Sequence, residues 1–185
     1  MISSVNEGLD NFIASWVTLQ ENKQIALEIE YDEQWPSPAI QSQHPGKPVS
    51  IWQPVIQSQQ NTLQALNSGL ELTVDPQLES YFTRYWSDNL NASTPRGGLQ
   101  LLFPWNQDDF VRLQENLIAH VLMKRRLGQR DTLFFAVTDE EDFILSILNE
   151  TGEVVLEQVG KEPQETIASD LNEFLKSLKP EAYDG

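Results

Sequence analysis

The chain has 185 residues and a mass of 21.1 kDa, the size of one domain, long enough to bury roughly 70% of its unfolded surface. Its 28 Asp and Glu outweigh 12 Lys and Arg for a formal net charge of −16, which argues against a nucleic-acid binder because phosphate neutralisation takes clustered Lys and Arg. Cysteine is absent, so disulfides, thiolate nucleophiles and zinc–thiolate sites are excluded.

Taken in chain order, the first element is a helix. Ser3 or Ser4 can cap it, Val5, Leu9, Phe12, Ile13 and Trp16 recur on one face, and Glu7 and Asp10 stand near its positive end. His44-Pro45-Gly46-Lys47-Pro48 reads as a loop, and Ile51-Trp52-Gln53 as an edge strand ended by Pro54, which cannot donate to a ladder. Gly69 to Val74 is a strand candidate. Asp75-Pro76 supplies a cap and a first-position Pro for a second helix carrying Leu78, Phe82, Tyr85 and Trp86. Ser87 to Gly98, dense in Asn, Ser, Pro and Gly, reads as a loop before a strand over Leu99 to Trp105.

The longest helix is expected from about Asn106 to Leu127. Phe110, Leu113, Leu117 and Val121 form its stripe, Asp108 and Asp109 its first turn, Lys124-Arg125-Arg126 its last, and Gly128 its terminator. Thr132 to Thr138, Phe143 to Asn149 and Glu153 to Val159 then form an antiparallel meander, joined at Asp139-Glu140-Glu141-Asp142 and Glu150-Thr151-Gly152. A last helix is expected from about Glu165 to Leu178, with Pro180 preventing continuation. The class is α+β in a single domain over residues 1–185, a mostly antiparallel sheet with a meander in its C-terminal half, flanked by helices.

Charge is uneven. Residues 1–42 carry −6, residues 43–130 carry +1 and residues 131–185 carry −11. If the two ends meet in space they make one acidic face; the alternative is that the charge serves solubility. No stretch reaches the 18 or so apolar residues of a membrane span, and the N-terminus lacks a positive segment ahead of an apolar one. The expectation is a soluble, cytoplasmic protein.

Catalytic signals are weak. His44 and His120 are the only histidines and do not have the spacing of a helical metal pair. His120 lies within the longest helix and reads as a packing or surface residue. No Gly-x-Ser-x-Gly elbow is present, and Arg96-Gly97-Gly98 has the spacing of a turn, not of a phosphate cradle. The run Asp139 to Asp142 reads as a solvated turn, lacking the alternation and central Gly of a calcium loop. Trp35, Trp52 and Trp105, each beside or near a Pro, are either binding platforms or core closures. No catalytic residue, metal site, cofactor or small-molecule substrate is assigned.

Asp108-Asp109-Phe110 through Gln114-Glu115-Asn116-Leu117 to His120, Lys124-Arg125-Arg126-Leu127, Thr132-Leu133-Phe134-Phe135, Asn149 to Val154, Ala168 to Leu175 and Leu178-Lys179-Pro180 form a series of tracts whose order and spacing resemble those of the Syd family of SecY-interacting proteins. Pro36-Ser37-Pro38-Ala39-Ile40 and Trp52-Gln53-Pro54 extend the likeness, which thins at Gln41 to Ser50 and Ser87 to Gly98. The resemblance implies a non-enzymatic α+β protein on the cytoplasmic face of the inner membrane. It implies docking through a concave acidic surface on cytosolic loops of the SecY channel, which regulates or monitors the translocon. Such loops are rich in Lys and Arg, whereas the anionic leaflet repels a chain of this charge, so membrane contact is expected through SecY only. Asp108, Asp109 and Glu115 are the first candidates for partner binding, followed by Glu28, Glu30 and Trp52. The other reading is an acidic inhibitor, of the immunity-protein type or a nucleic-acid mimic, that binds a soluble basic protein.

Overall fold

The structure, a computed structural model, describes residues 4–185. Helix α1 spans Ser4–Asn22 and buries Val5, Leu9, Phe12, Ile13 and Trp16, as their spacing predicts; Ser3, one of its two candidate caps, lies outside the described residues. Strands β1 (Glu28–Glu30), β2 (Ile40–Gln43) and β3 (Val49–Trp52) form a three-stranded sheet with β3 in the middle. The expected edge strand around Trp52 is therefore a central one. Pro54 lies beyond the ladder, so it ends the strand without exposing its flank.

Short strand β4 (Val55–Ile56) precedes helix α2 (Gln64–Leu70) and helix α3 (Pro76–Phe82). The strand expected over Gly69 to Val74 does not form. Leu66 and Leu70 sit one turn apart on a buried helix face, Glu71 closes α2 in a left-handed conformation (φ 49°), and the Asn67 side chain accepts the Val74 N–H. Asp75 caps α3 as expected, accepting from the Gln77 N–H at 3.0 Å. Tyr85 and Trp86 leave that helix and pair with Val55 and Ile56 as strand β5.

Strands β6 (Leu90–Thr94) and β7 (Gly97–Leu101) are a hairpin where a loop is expected. Leu90 and Ala92 point into the core while Asn91 and Ser93 alternate outward, so small polar residues on one face mask a strand. Beyond Leu101 the chain turns irregular because Pro104 is near and the Asn89 side chain takes the Phe103 N–H.

Helix α4 (Gln107–Arg126) matches its expected bounds. Asn106 accepts from the Asp109 N–H at 2.8 Å. At the far end the N–H groups of Gly128 and Gln129 bond the carbonyls of Arg125 and Lys124, the paired pattern of a helix closed by a left-handed glycine, with Gly128 at φ 70°. Strands β8 (Thr132–Thr138), β9 (Phe143–Leu148) and β10 (Val154–Gln158) form the expected meander. The last predicted helix is half strand. Strand β11 (Glu165–Ala168) precedes helix α5 (Leu171–Ser177), because Asp170 caps at Glu173 N–H and Thr166 and Ile167 are β-branched. Strand β12 (Lys179–Pro180) follows.

The main sheet runs β11-β10-β9-β8-β7-β6-β12, antiparallel at each pairing, and curls into a half-barrel. Helix α4 covers one face, where His120 meets Thr132 and Lys124 meets Glu157. The alternate residues face the other way. On that side Phe135 of β8 meets Tyr81 of α3 and Phe174 of α5 at ring distances of 5.7 and 5.6 Å, and α1 packs on both helices. One hydrophobic core links these layers and extends to Trp52, which lies 6.0 Å from Trp16. Among the described residues no helix is long and apolar enough to cross a membrane.

Candidate functional site

The acids singled out by sequence do not converge. Asp108 and Glu115 stand two turns apart on the exposed face of α4, beside Val111 (49% exposed). Asp109 is the exception within its group: its Oδ2 accepts the Trp105 N–H at 2.8 Å while its own N–H is capped by Asn106. Its carboxylate serves the helix start. The loop before α4 is stitched to the Trp35–Ser37 segment, since Asn106 Nδ2 donates to the Pro36 carbonyl at 2.8 Å and the Ser37 hydroxyl donates to the Trp105 carbonyl. Arg112 lies 4.9 Å above the Trp35 ring, a cation–π contact that holds this corner.

Glu28 and Glu30 belong to β1 in the small sheet, paired with Ile51 and Val49. Trp52 is 1% exposed. Its ring sits edge-on to Trp105 and Tyr183 at 6.0 and 5.3 Å, so it closes the core and cannot offer a platform to a partner. Trp105 is likewise buried.

A second acidic group is assembled by the curl of the main sheet. A half-open cleft of about 90 Å³ lies on the face opposite α4, floored by Leu99, Phe143, Leu145, Leu156 and Ile167 and backed by Phe174. That face follows from alternation: Glu157 bonds α4, so Leu156 points the other way. Two turns form its rim. Asp139 of the β8–β9 turn accepts the Gly98 N–H at 3.0 Å, which ties that turn to the β6–β7 turn. Gly97 at φ 146° brings the backbone against this carboxylate in a conformation that favours glycine, and a Cβ there would crowd Asp139 Oδ2 at 3.1 Å.

From the same turn Arg96 reaches an ion pair with Glu165 on β11. Strands β8, β9 and β10 lie between β7 and β11 in the sheet, so this pair can form only because the sheet curls. The pairing with Glu165 raises the Arg96 pKa further, with Glu140 adding to it. The rim therefore carries Asp139 and Glu140 against one arginine, and that arginine holds Glu165 just beyond the rim.

The run Asp139 to Asp142, read from sequence as a solvated turn, thus contributes two rim residues, while Glu165 gave no sequence signal. Register is what joins them, and register was not visible from composition. No group of three His, Asp or Glu side chains among the described residues is arranged to hold a metal ion, and His120 is buried in packing.

The chain matches the family model described as Syd protein (SUKH-2) over residues 6–180. It is 46% identical over 186 aligned positions to Protein Syd of Pseudoalteromonas atlantica, covering 100% of both chains. It is 44% identical to Protein Syd of Alteromonas mediterranea, over 97% of this chain and 98% of that one. It is 45% identical to Protein Syd of Colwellia psychrerythraea, over 81% and 79%.

Proposed function

This chain belongs to the Syd family, and from that premise we propose that it is a binding protein, not an enzyme. It docks from the cytoplasm on the Lys- and Arg-rich cytosolic loops of SecY, reaches the inner membrane only through that protein, and regulates or monitors the translocon. The observation that carries the reading is the cleft: an apolar floor with an acidic rim suits a side chain that has an aliphatic stem and a cationic head. The net charge of −16 supports the same direction, because it disfavours direct contact with anionic lipid and favours a basic partner.

Two acid groups compete for the docking role. The α4 group, Asp108, Asp109 and Glu115, lies on a convex helix face, with Asp109 already engaged in the cap. Glu28 and Glu30 lie on a third surface. The concavity favours the rim of Asp139 and Glu140, with Glu165 beside it.

Matched double variants separate them. Glu140→Gln/Glu165→Gln removes one charge on the rim and one beside it, and Asp108→Asn/Glu115→Gln removes two from α4, each without disturbing a cap. Binding to SecY-containing proteoliposomes, titrated at rising salt, is expected to weaken several-fold in the first variant with a flatter salt dependence, and to change little in the second. The reverse ranking would move the docking face to α4, and equal losses would make net charge alone the determinant. Equal binding to vesicles without SecY, or preferential capture of a soluble basic protein, would overturn the SecY reading.

A further inference from the structure

The geometry points to Arg96 as a resident stand-in for the partner's basic side chain: its guanidinium lines the cleft rim and occupies Glu165 just beyond it, and is displaced when a partner Lys or Arg enters. This rests on the docking reading above, but it adds a regulatory element that reading does not require.

The cleft volume is about 90 Å³. Since one water takes roughly 10–15 Å³ of such space, there is room for one long side chain and no room for a segment with its backbone. The floor of Leu99, Leu145, Leu156 and Ile167, with Phe143 beside them, matches an aliphatic stem. What such a side chain needs at its head is a carboxylate, and Glu165 carries one on the same sheet face as Ile167, two residues along β11. That carboxylate is already held by Arg96.

The hold is weak by construction. The two side chains are 55% and 45% exposed, and exposed ion pairs contribute little to stability because water competes and both side chains lose freedom. Arg96 sits on a turn, not within a strand, and its release frees Glu165 without breaking a ladder bond. An exchange of one guanidinium for another is close to balanced, so the pair raises the threshold for docking and selects partners that fill the apolar floor as well.

The test compares Arg96→Gln with Arg126→Gln, an exposed residue of α4 whose loss changes net charge equally. Binding to SecY proteoliposomes is expected to tighten more for Arg96→Gln than for Arg126→Gln, with an unchanged melting midpoint. In the double variant Arg96→Gln/Glu165→Gln, the gain relative to Glu165→Gln alone should fall to that of Arg126→Gln. Equal gains from the two arginine variants, or weaker binding by Arg96→Gln, would overturn the displacement while leaving the docking reading intact. No loss on Glu165→Gln would also overturn the displacement, whereas equal binding of the parent chain to vesicles without SecY would overturn the docking reading itself.

A direct readout uses an arginine-bearing soluble peptide and its citrulline counterpart. The side-chain Nε–H signal of Arg96 should shift with the first and not the second, while that of Arg130, paired with Glu162 and Glu150, stays in place. An unmoved Arg96 signal at saturating peptide would also overturn the displacement.

Discussion

Lys124 and Glu157 are wholly buried, at 0% side-chain exposure each, between α4 and β10. The ammonium donates to Glu157 Oε1 at 2.9 Å and to the Lys161 carbonyl at 2.8 Å, whereas Glu157 Oε2 finds no partner among the described residues. Such a pair is costly to break, because removing one charge strands the other. Lys124→Met is expected to lower stability by about 3–5 kcal/mol, and Lys124→Met/Glu157→Leu to recover most of it; denaturant midpoints check both, and equal losses would show that packing and not charge governs the site. His120 joins this cluster, with Nε2 3.0 Å from the Thr132 hydroxyl and 3.9 Å from Glu157 Oε1. Burial holds its pKa below the ordinary imidazole value, outweighing the pull of Glu157, and Lys124 adds to the lowering. The unfolded chain takes up that proton near pH 6.5 and the folded chain only lower down. Stability from this group is therefore complete above about pH 6.5 and declines as pH falls below it. His120→Gln should flatten the drop in denaturation midpoint between about pH 7 and 5.5, and an unchanged slope would place the titration elsewhere.

Among elements, α4 was the most legible, because its signals agree: a cap at Asn106, acids in the first turn, bases in the last and Gly128 beyond. Leu117 at its centre is 0% exposed. Leu117→Ala should cost about 2–5 kcal/mol, a large share of the ~5–15 kcal/mol typical of a domain. A denaturation midpoint within error of the parent chain would contradict its place in the core. Elements were misread where local pattern and burial disagree. The β6–β7 hairpin looks like a loop because its outward residues are Asn, Ser and Thr, and β11 looks like helix because Ile167 and Leu171 happen to share the helical period. Strand β1 has only Ile29 to mark it and gains its place from pairing with β3.

For the molecule as a whole, the two acidic ends of the chain do meet. Helix α1 packs on α5, and Gln20 of α1 donates to the Glu181 carbonyl at 3.0 Å and accepts from the Tyr183 N–H at 2.9 Å. Segments carrying −6 and −11 are thus adjoined, and the arginines that pair with them, such as Arg84 with Asp10 and Arg130 with Glu162, offset only part of that negative field. Membrane association through SecY should then be steeply salt-sensitive: fractionation should move the protein to the inner membrane when SecY is abundant and return it to the soluble fraction at rising ionic strength. Salt-independent association, or equal membrane recovery with and without excess SecY, would contradict this.

Sequence by itself determined the α+β class, α1, α4 and the β8–β10 meander, and the family. Each rests on information local to a stretch of chain: helical period, caps, alternation, and the order of the Asp108 to Leu127 and Ala168 to Leu175 tracts. Only the tertiary structure decided which residues of distant segments share a surface. Trp52, open from sequence to either a platform or a core role, is core because Trp16 and Tyr183 close over it. Arg96, Asp139, Glu140 and Glu165 meet because strand register and curl join turns far apart in sequence, and neither register nor curl is encoded in any one of those turns.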